Sequence, residues 1–167
     1  MWYVIQVRSR QEDQVLNEIK AVTKDYDAEI FLPKYETKRK FNGQWKRMEQ
    51  ILFPGYLFLI TDKVQPVYEN LRKIPSLTKV LKTGDEFVPL NIEEIEFLKT
   101  FGKEDHVVRM SEGFIENENI IITTDPMKDW TGPIKKINRH KREAVIEVPF
   151  FGRVVEVKVG LEIVRKI

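Results

Sequence analysis

Eight residues towards the C-terminal end, KKINRHKR (Lys135 to Arg142), gather five formal positive charges and one of the chain's two histidines. Lysine and arginine at this density share one chemistry: they neutralise phosphate and displace its counterions. Trp130 and Phe151 flank the segment and offer faces on which bases stack, the combination RNA-binding surfaces use. A plain reverse turn would draw on Gly, Asn or Asp, and Asn138 alone can take the turn conformation. The segment therefore reads as a nucleic-acid surface made by Lys135, Lys136, Arg139, His140, Lys141 and Arg142. The ordinary alternative is a solvated turn whose charges keep the surface soluble. His140 either lends pH dependence or serves as a neutral stacking or hydrogen-bonding group.

A second basic group, Lys34, Lys38, Arg39, Lys40, Lys46 and Arg47, surrounds the turn pair Asn42-Gly43. It reads either as a ribbon whose lysines discourage edge pairing or as a phosphate contact. Catalytic chemistry finds no such footing. There is no glycine-rich phosphate loop and no serine at a nucleophile elbow, and the two histidines lack triad partners. The carboxylates are scattered among lysines. Without cysteine there is neither a disulfide framework nor a thiolate metal site. The chain is expected not to be an enzyme and to need no cofactor or metal.

These groups must be positioned by 167 residues with a net charge of +2, so any basicity is local. No apolar run approaches a membrane span, and MWYVIQVRSR reads as a strand and not as a signal peptide. A cytoplasmic protein without a membrane partner, and a monomer, is expected.

The elements follow from periodicity. WYVIQV is a strand, and Ser9 to Glu12 has capping-box spacing ahead of a helix with Val15, Leu16, Ile19 and Val22 on one face. EIFLPKYETKRKF and QWKRMEQILF form a long hairpin about Asn42-Gly43. After Pro54-Gly55, YLFLI is a strand apolar on both faces. It is either a buried central strand or one that leaves an aromatic patch for a partner. Asp62 to Gln65 has cap spacing before a helix carrying Val64, Val67, Tyr68 and Leu71. LTKVL is a brief strand, and Asn91 to Glu94 caps a third helix with Ile95 and Leu98 inward and Gly102 as its stop. Residues 104–112 read as a linker. NIIITT, TGPIKKI, EAVIEVPF, RVVEVKV and LEIV then give five short strands, a small β-barrel. The fold class is α+β: an α/β sandwich over residues 1–103, then a five-stranded barrel over 113–167.

WYVIQVRSRQE, LFPGYLFL and IPSLTKVL…VPLNIEEIE, in that order, resemble the N-terminal (NGN) domain of NusG-type transcription elongation factors. FIENENIIITTDPMKDWTG…VIEVPFFGRVVEVKV…EIVRKI resembles their SH3-like KOW domain. Among paralogues the basic turn is most similar to the LoaP antiterminators. The resemblance implies docking on the clamp helices of RNA polymerase through Tyr3, Phe53, Tyr56 and Phe58. It places Arg8, Arg10 and Gln11 towards upstream or non-template DNA. The KOW loop and strand, with which general NusG factors engage Rho or a ribosomal protein, correspond to Trp130, Gly132, Phe151 and Arg153. Asp125-Pro126 in place of Gly-Pro, Pro133 after the loop glycine and Ile121 at a commonly charged position speak against Rho and ribosome contacts. LoaP-like factors instead bind an RNA hairpin in the leader transcript, a task that falls to the basic turn. Processive antitermination is the implied function. The alternatives are a general NusG factor coupled to Rho or ribosomes and, further off, a ribosome-associated structural protein. RfaH-like refolding of the C-terminal domain is not expected, because the VVEVKV run favours strands.

Overall fold

The computed structural model describes residues 1–76, 79–80, 82–83 and 86–166. In chain order the elements are β1 (Trp2–Gln6), α1 (Glu12–Thr23), β2 (Ala28–Phe31), β3 (Lys34–Phe41), β4 (Gln44–Ile51), β5 (Tyr56–Thr61) and α2 (Val64–Leu71). There follow β6 (Lys79–Val80), β7 (Lys82–Thr83), β8 (Glu86–Phe87), α3 (Ile92–Gly102), β9 (Val107–Val108) and β10 (Ser111–Glu116). The last are β11 (Asn119–Ile122), a 3₁₀ turn (Met127–Asp129), β12 (Ile134–Asn138), β13 (Glu143–Phe150) and β14 (Arg153–Lys166). Among the described residues no helix is long and apolar enough to cross a membrane.

Two compact units emerge. One joins Met1–Pro33 to Phe53–Ile95, and the other joins Lys34–Leu52 to Glu96–Ile167. In the first, a sheet in the order β2-β5-β1-β6 runs antiparallel throughout. Its central strand β5 buries Leu57, Phe58 and Leu59 in succession, so both faces of the pleat are covered. Val15 and Ile19 of α1 and Val67 and Leu71 of α2 supply the apolar stripes, while Leu16, Val22, Val64 and Tyr68 are only partly buried.

Two predicted caps differ from those found. Ser9 does not cap α1. Glu12, its supposed capping partner, is buried and accepts from the Gly55 amide at 3.1 Å. Asp62 does not cap α2 either: it faces the N-terminal amine at 3.2 Å, and the Thr61 hydroxyl accepts from the Lys63 amide instead. The third prediction holds. The Asn91 amide donates to Glu94 Oε1 and the Glu94 amide to Asn91 Oδ1, both at 2.9 Å, a reciprocal box. The strand expected over LTKVL is seen as Lys79–Val80; Leu77, Thr78 and Leu81 lie outside the described residues.

The second unit begins with the predicted hairpin. β3 and β4 pair from Lys34↔Ile51 to Phe41↔Gln44, and Asn42 and Gly43 turn at φ 49° and 80°. The expected linker over 104–112 is not featureless. Val107 and Val108 are buried and pair in parallel with Lys34 and Tyr35, and Ser111 opens β10. Two-residue strands are too short to show periodicity, which is why the sequence reads as unpatterned there. The five C-terminal strands take the order β11-β10-β14-β13-β12. Their identities differ from expectation: SEGFIE is the first, and RVVEVKV and LEIV merge into the fourteen-residue β14. That length lets β14 pair with β13 antiparallel and with β10 in parallel. β13 alternates cleanly, with Ala144, Ile146, Val148 and Phe150 inward beside Val157, Val159 and Leu161 of β14.

Candidate nucleic-acid interface

The basic segment forms the end of β12 and the turn into β13. Asn138 does contribute to that turn, but by its side chain: Oδ1 accepts from the Lys141 amide at 2.9 Å. The left-handed conformation falls on Arg142 instead, at φ 54°, which costs a non-glycine residue about 1 kcal/mol. What holds Arg142 there is its side chain. Its Nε lies 3.3 Å from Glu162 Oε1, and its guanidinium sits 3.4 Å from the centre of the Trp45 ring on β4. The Thr37 hydroxyl of β3 adds to this, reaching the carbonyl oxygens of Lys141 at 3.2 Å and Arg142 at 3.3 Å.

The six predicted residues therefore divide. Arg142 is stacked and ion-paired, with its side chain 21% exposed. Lys135 is exposed but pairs with Glu147 at 2.8 Å, and the hydrogen bond it donates to that carboxylate, with the carboxylate's charge, raises the lysine's pKa. Lys136, Arg139 and Lys141 are exposed and have no carboxylate partner among the described residues; His140 is exposed as well. Three cations at the end of β12 and on its turn thus carry charge that is not neutralised by a carboxylate among the described residues.

The hairpin divides similarly. Lys38 pairs with Glu162 at 3.0 Å and Arg47 with Glu36 at 2.8 Å. Glu36 is itself buried and also accepts from Arg109 at 3.1 Å and from the Met110 amide at 3.2 Å. Arg39, Lys40 and Lys46 remain exposed around the tip, with no carboxylate partner among the described residues. Beside Arg109, partial burial pushes the Asp105 carboxyl up, but hydrogen bonds from the Arg109 side chain and the Val107 amide outweigh it and hold the group below its ordinary range. The hairpin meets β14 closely. A Cβ on Gly160 would stand 2.0 Å from the Glu36 carbonyl oxygen, so only glycine fits beneath β3.

The aromatic residues assigned to polymerase docking lie elsewhere, in the first unit. Phe58 stacks on Phe31 with ring centres 5.5 Å apart and lies 5.6 Å from Phe53; both Phe53 and Phe58 are buried. Tyr3 is buried too, edge-on to Phe87 at 6.4 Å. Only Tyr56 of the four keeps appreciable exposed surface. Arg8 and Arg10 are exposed and Gln11 half-buried before α1, with Arg10 at φ 73°. In the C-terminal loop, Trp130 is half-buried against Phe101 at 5.4 Å and Phe97 at 6.1 Å, and Gly132 lies against the Trp130 ring so tightly that a Cβ would clash. Phe151 and Gly152 form the β13–β14 turn at φ 54° and 79°, and Arg153 is exposed. Reasoning along the chain missed Trp45 and Glu162, whose roles arise from contacts with a turn remote in sequence.

A family model described as "Transcription termination factor nusG" matches residues 1–99. The chain is similar to the transcription termination/antitermination protein NusG of Pasteurella multocida, at 23% identity over 172 residues, covering 99% of this chain and 94% of that one. It is similar also to the NusG protein of Thermus thermophilus, at 24% identity over 180 residues, 99% and 97% covered. A solved structure described as "Domain interaction in Thermotoga maritima NusG" shares the fold, with a TM-score of 0.55 and 23% identity, covering 97% of this chain and 93% of that one.

Proposed function

Since the chain belongs to the NusG family of transcription factors, we propose that it acts as an antiterminator of the LoaP type, binding RNA polymerase and a structured leader RNA. Residues 1–103 dock on the clamp helices of the polymerase, and the C-terminal strands recognise an RNA hairpin. Docking across the cleft favours the closed clamp, and pausing and termination become rarer because the ligand prefers one state of the enzyme. The protein itself makes and breaks no bond.

The observation that carries the RNA reading is the turn at Lys136, Arg139 and Lys141. These cations are exposed and have no carboxylate partner among the described residues; Lys136 stands on β12, and Arg139 and Lys141 on the turn that the Asn138 and Thr37 side chains fix. Tethering to polymerase raises the effective concentration of the RNA-binding surface, so a local patch suffices in a chain whose net charge is only +2. Packing of Trp130 against Phe97 and Phe101 is a reason to set Rho or ribosome recruitment behind RNA recognition.

The test is a titration of the full-length chain and its Lys136→Ala/Arg139→Ala/Lys141→Ala variant against structured leader RNAs, a scrambled RNA and duplex DNA. It is run in about 150 mM salt, because low salt exaggerates any basic patch. Selective hairpin binding that the variant loses, with terminator read-through lost in parallel, is expected. Equal weak binding to all probes would return the chain to the general elongation factors.

A further inference from the structure

Trp45 is an unusual residue to leave at the surface. It lies on the exposed half of β4, is 44% exposed, and makes no ring contact with another aromatic side chain among the described residues. The Arg142 guanidinium lies over the ring, and its distance of 3.4 Å from the ring centre means that it covers one face of the indole. The exposed area therefore belongs to the opposite face and the rim. Cation–π stacking also fixes the orientation of the ring, so a planar ligand on the free face would not have to immobilise it.

The surroundings carry both signs of charge, with Glu36 and Glu49 on the same face of the ribbon and Glu162 paired to Arg142, and several of the cations are left uncompensated. Lys40 pairs across the ribbon with Trp45, and strand alternation places both on the same face. Lys40 has no carboxylate partner among the described residues, whereas Lys38 and Arg47, on the same face, are neutralised by Glu162 and Glu36. Next to Arg142 in the same turn are Lys141 and Arg139, both exposed. Phe41, 45% exposed, sits one position away and so on the other face of the ribbon, with Arg39 and Lys46.

We infer that Trp45 is a base-stacking platform: an unpaired nucleotide flanking the RNA stem lies on its free face while Lys40, Arg139 and Lys141 hold the adjoining phosphates. Unstacked bases present a π-face to any aromatic plane, and a duplex does not, so the platform selects single-stranded RNA beside the hairpin. The recognition surface then spans the β3–β4 hairpin and the β12–β13 turn, joined by the Arg142–Trp45 stack and the Glu162 carboxylate.

This inference rests on the RNA reading above, and its test separates the two. The probe is the tightest RNA that the full-length chain selects from a pool with a fixed stem, a randomised loop and randomised unpaired flanks, compared with the same RNA trimmed to a blunt stem. Trp45→Ala is expected to weaken binding of the flanked RNA about tenfold, the scale of one lost base–aromatic stack. The blunt stem should bind Trp45→Ala and the unmodified chain alike. Trp45→Phe should keep most of the affinity for the flanked RNA, and Phe41→Ala, on the opposite face, should keep all of it. The platform is overturned if Trp45→Ala binds the flanked RNA as the unmodified chain does, or if Phe41→Ala loses as much. If the basic-turn variant loses binding and Trp45→Ala does not, only the platform falls. If the pool yields no RNA, or duplex DNA binds as tightly as the selected RNA, both readings fall.

Discussion

The hydroxyl of Tyr35 donates to Glu143 Oε1 across 3.2 Å, joining β3 to β13 through two buried residues 108 positions apart. Burial pushes the Tyr35 phenol well above its ordinary range, and the charge and hydrogen bond of Glu143 push it further. A raised folded-state pKa stabilises the protein fully below the unfolded value, about 10 for tyrosine, and that stability is lost as pH rises above it. Tyr35→Phe removes both the hydrogen bond and this alkaline loss. Chemical denaturation should show the variant about 1–2 kcal/mol less stable at neutral pH, where Glu143 loses its donor. The deficit should stay constant up to about pH 10, the ordinary phenol value, and shrink as pH rises above it. A deficit that stays constant with pH would mean that the phenol does not titrate with folding.

Glu36 is a buried carboxylate between two half-exposed guanidiniums, Arg47 at 2.8 Å and Arg109 at 3.1 Å, and it also accepts from the Met110 amide. The pairs differ from ordinary surface bridges because the acid, with a side chain only 7% exposed, cannot be resolvated in place. Glu36→Gln keeps the volume and part of the hydrogen bonding but loses the charge. It should cost about 1–3 kcal/mol in a urea titration, more than Glu69→Gln at the exposed pair with Arg72. Equal costs at both sites would mean that burial adds nothing to the Glu36 cluster.

What could be read along the chain were features whose partners are close in sequence. The Asn91–Glu94 box, the Asn42-Gly43 turn and the alternation of β13 each depend on neighbours within a few residues, and each is found. The Ser9 and Asp62 caps were equally well spaced, but Gly55 takes the Glu12 carboxylate and the N-terminal amine takes Asp62. Such partners are chosen by the tertiary fold, and no local pattern announces them. The same holds for the candidate site. Its cations were visible as a cluster, yet which are free depends on Glu147, Glu162 and Trp45, brought there by strand pairing and by the close approach at Gly160.

The aromatic strand gives opposite expectations for two neighbours. Phe58 is 1% exposed within the Phe31–Phe53 cluster, so Phe58→Ala opens a cavity and should cost about 3–5 kcal/mol of stability. Tyr56 is partly exposed, and Tyr56→Ala should leave thermal stability nearly intact while weakening polymerase binding. Thermal denaturation and a pull-down with purified RNA polymerase check both. If Tyr56→Ala binds polymerase normally, docking uses a surface other than this strand.

The pairing state of each cation in the basic turn predicts how the salt dependence of RNA binding divides. Each phosphate neutralised by a free cation adds about 0.7–0.9 to the slope of log K against log salt. Lys136, Arg139 and Lys141 bring uncompensated charge, so replacing all three with alanine should lower the slope by about 2–3. Lys135 must leave Glu147 before it can serve a phosphate, and the freed carboxylate would then repel the RNA. Lys135→Ala alone should therefore change the slope by well under about one phosphate's worth. Arg142→Ala should act differently again. It leaves Glu162 to Lys38 alone and unseats Trp45, so affinity should fall with little change in slope. Titrations of the full-length chain at several salt concentrations would distinguish these cases. Equal slope changes for every basic residue would mean that the turn acts as diffuse charge, and the distinction between engaged and free cations would have no bearing on binding.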